Sequence, residues 1–431
     1  MSARIRGMLT ALFAALIAWT VSAGAPAAGA PRPEPVVIVL SWDGMRHDYP
    51  DRLPLPALAR LAERGVRAGR LIPVFPSNTF PGHVSLATGT YPDIHGIVDN
   101  HFIDAERGRY RMSGDADWIQ AEPLWIAAER QGVPAATYFW VGSESDWRGQ
   151  GTRYRIAPFD RDRPEAVKVD QILAWLGLPP AARPRLIMSY WAGADHDGHE
   201  HGPDSAKVDA QLRRQDAELG RLLDGLDAMQ AWPYTTLILV SDHGMTETGA
   251  YLDIRSALGD AGVAAQVTGS SVANVYLEDP AAEERAIAAI RTLEPAEKVR
   301  VYRRDDLPTS LRLAHPTRTG DLVVLTEPPF SFSRPDGFAG KLQTLLYKLG
   351  VGVGGHGYDP RHPDMAGVFF AAGRGVPNDL ILPEVQQIDL AATVSRLLSI
   401  DPPRQSEGRP IRGIGEHLIG NGAPEARNER R

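Results

Sequence analysis

The sequence predicts an α/β fold: a mostly parallel central sheet flanked by helices on both faces, with a small, less regular insertion. Two observations carry this. Short runs apolar at every position, such as VVIVL from Val36, recur along the chain, as in strands buried on both faces. Between them lie stretches whose apolar residues recur at helical spacing, and such alternation builds a sheet covered on both sides. The chain has 431 residues, 43% of them hydrophobic and 23% charged, which is ample for one large domain.

Arg4 and Arg6 precede the apolar run GMLTALFAALIAWTV, and small residues end at Ala23 and Ala25. This reads as a secretory signal over 1–25, so an exported protein, periplasmic or secreted, is expected. The alternative is a membrane anchor, for which the apolar run is short. Residues 26–35 read as an Ala/Pro-rich spacer. The main folded domain is expected over 36–415, followed by a polar tail, 416–431.

Within that domain VVIVLSWD is a strand ending at Asp43, and PALARLAERG a helix closed by Gly65. RLIMSYWAGAD ends at Asp195. The next helix carries Val208, Leu212, Leu219, Leu222, Leu223 and Leu226 at helical spacing. TTLILVSDH is a strand ending at His243. The stretch of about 251–347, rich in Pro and Arg, is the expected insertion or subdomain. AGVFFAAG and DLAATVSRLLS read as a late strand and a late helix.

The net charge of −7 argues against a surface that tracks nucleic acid. With 0 cysteines there are no disulfides, and a transition metal must be held by His and carboxylates. Asp43, Asp195 and Asp242 each close a predicted strand. Ligands of open α/β sheets bind beyond the carboxyl ends of strands, so distant segments would deliver carboxylates to one rim. Each Asp alone would usually be a turn or cap residue, and it is the three at equivalent places that point to a shared site. Asp195 and His199 are four apart, so one helical turn brings both to a common point. Asp242 and His243 are adjacent and converge only in a turn. His356 stands in the Gly-rich VGGHGYD, where a solvent-facing role is the alternative.

Three imidazoles and three carboxylates are too many for one tetrahedral zinc with an open position, and they suit two. A pair of metals clamps the attacking and leaving oxygens of an in-line phosphoryl displacement. Thr79, in FPSNTFPGH, is then either a helix N-cap or a nucleophile activated by metal, its helix N-terminus facing phosphate oxygens.

The ordered blocks LSWDGMR, PSNTFPGH, HGIVDN, YFWVGSES, DHDGHEHGP, VSDHGM and GGHGYD resemble the nucleotide pyrophosphatase/phosphodiesterase family of the alkaline phosphatase superfamily. The likeness runs from Val36 to about Leu398. It implies an alkaline phosphatase-like fold with two Zn2+ ions. Asp195, His199 and His356 would hold one, and Asp43, Asp242 and His243 the other, with Thr79 bound to it. Asn100 would hydrogen-bond a phosphate oxygen, Phe80 would line a slot for a nucleoside group, and Tyr154 or Phe159 would stack on a base. The expected activity is hydrolysis of phosphodiester or pyrophosphate bonds in small nucleotide-type substrates through a phosphothreonine intermediate, without a stable nucleic-acid partner. The alternatives are a lipid- or choline-headgroup phosphodiesterase, a phosphomonoesterase, and a non-catalytic phosphate-binding protein. No arginine in these blocks is placed by sequence to meet a second phosphate charge.

Overall fold

The computed structural model describes residues 33–332, 347 and 352–418. The expected signal, 1–25, lies outside them, as do the spacer up to residue 32, the tail beyond residue 418 and most of the last part of the insertion.

The all-apolar reading of Val36–Trp42 is explained by its place: it is buried at every position, inside a nine-stranded sheet. Across the sheet the order is Leu380–Leu382, Gly65–Ile72, Gly367–Gly373, Thr235–Val240, Val36–Trp42, Leu186–Trp191, Ala135–Tyr138 and Tyr154–Ile156, with Val385–Gln386 also on Gly65–Ile72. Val36–Trp42 runs parallel to both neighbours, with Val37 opposite Leu186 on one side and Thr236 on the other. Gly367–Gly373, the AGVFFAAG strand, is antiparallel to both of its neighbours. The sheet is therefore mixed and mostly parallel.

Alternate residues of the central strand feed opposite cores. Val37 and Val39 pack with Val84, Leu86, Trp125, Leu390 and Val394 from helices Thr79–Thr88, Leu124–Arg130 and Asp389–Leu398. Val36, Ile38 and Leu40 pack with Leu58, Ile172, Leu212 and Leu219 from helices Pro56–Glu63, Glu165–Leu176 and Ala206–Ala228. The last of these buries all six residues picked out by spacing and starts at Ser205, whose Oγ accepts the Val208 N–H at 3.3 Å.

Gly65 does not close a helix. Arg64 caps Pro56–Glu63, and Gly65 opens a strand. A Cβ there would lie 1.9 Å from Ala371 O, so the site needs glycine for close strand approach.

The stretch after Tyr251 is more regular than its composition suggests. Ala265–Thr268, Val272–Leu277, Leu322–Leu325 and Arg300–Arg303 form a separate antiparallel sheet in that order. With helices Ile254–Asp260 and Glu283–Ile290 it has an apolar core of its own, including Val275, Ile287 and Val324. Among the described residues no helix is long and apolar enough to cross a membrane.

Candidate active site

Three adjacent parallel strands end at one rim, and each is followed by one of the three aspartates. Asp43 directly follows Val36–Trp42, Asp242 lies just beyond Thr235–Val240, and Asp195 opens the helix Asp195–His201 after Leu186–Trp191. The three loops interlock. The Gly44 N–H donates to Asp242 Oδ1 at 3.2 Å, and the Ala194 N–H donates to Asp43 O at 2.8 Å. Gly193 has φ +62, and a Cβ on it would lie 1.8 Å from Asp43 O, so the crossing requires glycine.

The helical turn from Asp195 brings His199 Nε2 to 3.3 Å from Asp195 Oδ1. His356 arrives from a strand, Val353–Gly355, which pairs antiparallel with Thr246–Thr248, just past His243. That pairing fixes its Gly-rich loop, and His356 is buried rather than solvent-facing. Two groups result: Asp195, His199 and His356; and Asp43, Asp242 and His243. Within each group the ligand atoms lie within 4.8 Å of one another.

The donor chemistry of both groups fits a cation. Each imidazole gives its Nδ1–H to a backbone carbonyl: His199 to Gly354 O at 3.0 Å, His243 to Gly244 O at 2.8 Å, and His356 to Ser77 O at 3.0 Å. The Nε2 lone pairs are thereby turned inward, the outer support usual for metal-ligating His. His199 Nε2 and His356 Nε2 face each other at 3.0 Å, two lone pairs that repel unless a cation or proton lies between them. Asp43 Oδ1, Asp195 Oδ1 and Asp242 Oδ2 are buried with no hydrogen-bond partner. Such orphaned carboxylate oxygens cost several kcal/mol unless a cation meets them.

Protonation alone leaves the cluster in conflict. Burial, then the charges of Asp242 and Asp195, push the Asp43 carboxyl well above its usual range. Burial also opposes charge on His199, yet Asp195 raises it to about 9. His356 is driven far below an ordinary imidazole by burial and by His243 and His199. Asp195 is held low against its burial by His199 first, then by His356 and His243. A divalent cation in each group satisfies the carboxylates and lone pairs together.

Thr79 is not the cap of its helix. The N-cap of Thr79–Thr88 is Asn78, and Thr79 Oγ1 lies 3.2 Å from His243 Nε2. Asn100 Oδ1 accepts the Phe80 N–H at 2.9 Å, which ties Asn100 to the start of this helix. Asp99 supports both sides: its Oδ1 accepts the Asn78 Nδ2–H at 2.7 Å and the Asn100 N–H at 2.6 Å. Burial raises Asp99 to about 7 against those two hydrogen bonds. A cleft of about 670 Å³ opens here and takes in Thr79, Asn100, Asp195, His199 and His356.

The aromatic candidates separate. Phe80 is half-buried, its ring edge-on to Tyr110 at 6.1 Å. Tyr154 turns to the core: its hydroxyl donates to Ala182 O at 2.7 Å, and its ring lies beside Trp175. Phe159 stays 43% exposed and packs on Tyr190, whose hydroxyl donates to Asp43 Oδ2 at 2.7 Å.

Sequence reasoning passed over three supporting residues. Tyr190 is one. His83 is another: it gives Nδ1–H to Thr79 O at 2.8 Å and accepts Ser41 Oγ–H at 2.7 Å. It lies inside PSNTFPGH, four residues after Thr79, and that helical spacing was the available signal. Asp99, next to Asn100, is the third. Arg46 turns away from the aspartates, pairing with Asp48 at 2.6 Å and Asp204 at 2.8 Å.

Comparison with known proteins agrees with this geometry. The sequence profile of the family described as "Type I phosphodiesterase / nucleotide pyrophosphatase" matches residues 37–359. An uncharacterized pyrophosphatase/phosphodiesterase of Schizosaccharomyces pombe is 33% identical over 359 residues, which is 79% of this chain and 72% of that protein. Human ectonucleotide pyrophosphatase/phosphodiesterase family member 1 is 28% identical over 90% of this chain and 42% of its own length. A venom phosphodiesterase of Naja atra is 28% identical over 89% and 46%. The chain thus spans under half the length of the human and cobra proteins. The fold is shared with human ectonucleotide pyrophosphatase/phosphodiesterase 5, with TM-score 0.76, 24% identity, and coverage of 86% of this chain and 96% of that one. The murine form, solved as an inactive threonine-to-alanine variant in complex with AMP, gives the same TM-score of 0.76 at 23% identity. The chain belongs to the type I phosphodiesterase / nucleotide pyrophosphatase family of hydrolases.

Proposed function

We propose that this protein is a zinc-dependent phosphodiesterase that cleaves phosphodiester or pyrophosphate bonds of nucleotides and their derivatives, releasing nucleoside monophosphate. One observation carries the reading: Thr79 Oγ1 stands beside two three-residue groups that hold three unpartnered carboxylate oxygens. Family membership and the AMP held by the murine relative support the substrate class. Asp195, His199 and His356 would hold one zinc, and Asp43, Asp242 and His243 the other. Bound there, zinc supplies charge stabilisation for the attacking and leaving oxygens.

The chain's own residues do the rest. His83 and Asn78 fix the first turn of the nucleophile's helix, so Thr79 Oγ1 meets phosphorus from a set direction. The helix N-terminus and the Asn100 amide take the non-bridging oxygens. Thr79 Oγ1, ionised with its proton released to solvent, bonds to phosphorus as the bond to the leaving oxygen breaks, and that oxygen departs with the electron pair on the Asp195 side. Water then attacks the phosphothreonyl diester from the vacated side and restores the hydroxyl, with net retention at phosphorus. Phe80 and Phe159 are the aromatic walls for the retained nucleoside. Export of the protein is part of this proposal and rests on the segment 1–25 alone. The test is a product assay on an aryl ester of a nucleoside monophosphate, ATP, a glycerophosphodiester and an aryl phosphomonoester, before and after chelation. Nucleoside monophosphate from the first two, lost on chelation, is expected. No turnover of any diester would overturn the reading.

A further inference from the structure

The cleft at Thr79 takes in the whole of the Asp195 group and none of the Asp43 group. It therefore opens on the side where the leaving group departs. Its rim also carries Arg109, Arg111, Arg161 and Arg255, all exposed.

The arginines come from separate parts of the fold. Asn100 is followed by a hairpin, His101–Asp104 against Gly108–Arg111, with Arg111 opposite His101 and Arg109 opposite Ile103. Strand alternation sends Tyr110 into the core, at 2% exposure, and leaves Arg109 and Arg111 together on the other face. Arg161 comes from the loop beyond Phe159. Arg255 reaches in from the insertion, bonded to Val267 O at 2.5 Å, and Arg109 meets the same insertion at Gln266 Oε1, also 2.5 Å.

Among the ion pairs of the described residues none involves these four arginines, whereas their neighbours outside the cleft are paired: Arg107 with Asp115 at 3.4 Å and Arg163 with Asp160 at 3.3 Å. Four uncompensated guanidiniums around one opening, on a chain of net charge −7, make a local site for anions.

We propose that Arg109, Arg111, Arg161 and Arg255 receive a phosphate-bearing leaving group, which makes phosphoanhydrides such as nucleoside triphosphates the preferred substrates of this cleft. The inference rests on the function proposed above and narrows it. A leaving group that carries choline is repelled by the same rim. An uncharged aryl leaving group uses Thr79 and Asn100 without engaging it.

The test compares wild type with Arg109→Ala/Arg111→Ala and Arg161→Ala/Arg255→Ala, all at exposed positions. For ATP, kcat/KM is expected to fall at least about 30-fold in each double variant, while the aryl ester of the nucleoside monophosphate changes less than about 3-fold. ATP binding by calorimetry is measured in a Thr79→Ala background. There each arginine pair should weaken ATP about tenfold or more and AMP less than about twofold. Equal losses on ATP and the aryl ester, or unchanged ATP affinity, would overturn the arginine assignment. A wild type inactive on both ATP and the aryl ester overturns the proposed function instead, and the binding arm still reads the rim. Glycerophosphocholine turned over as well as ATP by wild type also refutes the preference.

Discussion

Replacing Thr79 by Ala separates chemistry from folding, because the structure assigns the hydroxyl almost nothing to do for stability. Asn78 occupies the cap position, and Thr79 is the first residue of Thr79–Thr88. Among the described residues its hydroxyl has one hydrogen-bond partner, His243 Nε2 at 3.2 Å. Losing that bond costs about 1 kcal/mol, and the gain in helix propensity from Thr to Ala, under about 0.7 kcal/mol, offsets much of it. The six His and Asp ligands come from other segments and keep their backbone supports. Removing a nucleophile costs roughly 10⁴-fold or more in turnover, or about 5.5 kcal/mol of transition-state stabilisation. Thr79→Ala should therefore melt within a few degrees of wild type, keep most of its metal, and lose about four orders of magnitude in kcat/KM on an aryl ester of a nucleoside monophosphate. Thr79→Ser should retain partial activity. Near-normal turnover by Thr79→Ala would mean that water attacks phosphorus directly, and the covalent route would have to be abandoned.

Elemental analysis of the active protein should find about two zinc ions per chain, and one or none in a fully active sample would sink the two-metal reading. His356→Ala should weaken the Asp195 group more than the Asp43 group, so excess zinc should restore part of its activity. For Asp99, the folded carboxyl titrates near 7 against an ordinary 3.8, so the native state binds the extra proton and stability falls as pH rises between those values, then levels. The full loss is roughly 4 kcal/mol by linkage, of which the part above pH 5 is roughly 3 kcal/mol. Asp99→Asn should remove this fall, which melting curves of both proteins at pH 5 and pH 8 would show; parallel curves would refute it. On matched aryl esters, kcat/KM for the nucleotide diester should exceed that for the monoester by at least about a hundredfold, near 3 kcal/mol, and a monoester advantage would point to a phosphatase.

Some of this site was legible in the sequence because it follows from strand ends. Asp43 and Asp242 stand where apolar runs stop, and Asp195 and His199 are one helical turn apart, so short-range spacing sufficed. His356 was picked out by its Gly-rich loop, but no short-range spacing could place it, since its position depends on Val353–Gly355 pairing with a strand far away in the chain. Gly65–Ile72 was hidden because the strand is only partly buried and carries Arg67 and Arg70, which break the apolar run. In the insertion, strands of four to six residues are too short to establish a period, and Leu322–Leu325 is buried at every position. Tyr154 and Phe159 looked equivalent on the page. Only the edge strand, which turns Tyr154 onto Trp175, tells them apart.

The preference for diesters follows from where the charges of the site stand, the arginines included. Counting only the ligand blocks, two divalent ions against three aspartates and an ionised Thr79 leave no surplus charge for a doubly ionised phosphoryl group. Arg46 adds none, because Asp48 and Asp204 hold it. The structure does bring positive charge to the cleft, but at its rim, on exposed side chains of the hairpin after Asn100, the loop after Phe159 and the insertion. Near Thr79 the groups that would meet the transferred phosphoryl in the proposed reaction are neutral: the Asn100 amide and the backbone N–H groups of the helix start. Two requirements are thus met in two places. In the proposed reaction the centre would tolerate one negative charge on the non-bridging oxygens, which disfavours monoesters, while the rim would accept further charge only on the departing side. A phosphoanhydride divides its charge in the same way, with a singly charged diester phosphorus joined to a multiply charged leaving group. The preference for diesters and the preference for an anionic leaving group then come from different residues. The arginine variants should lower activity on ATP and leave the diester-to-monoester ratio on aryl esters unchanged.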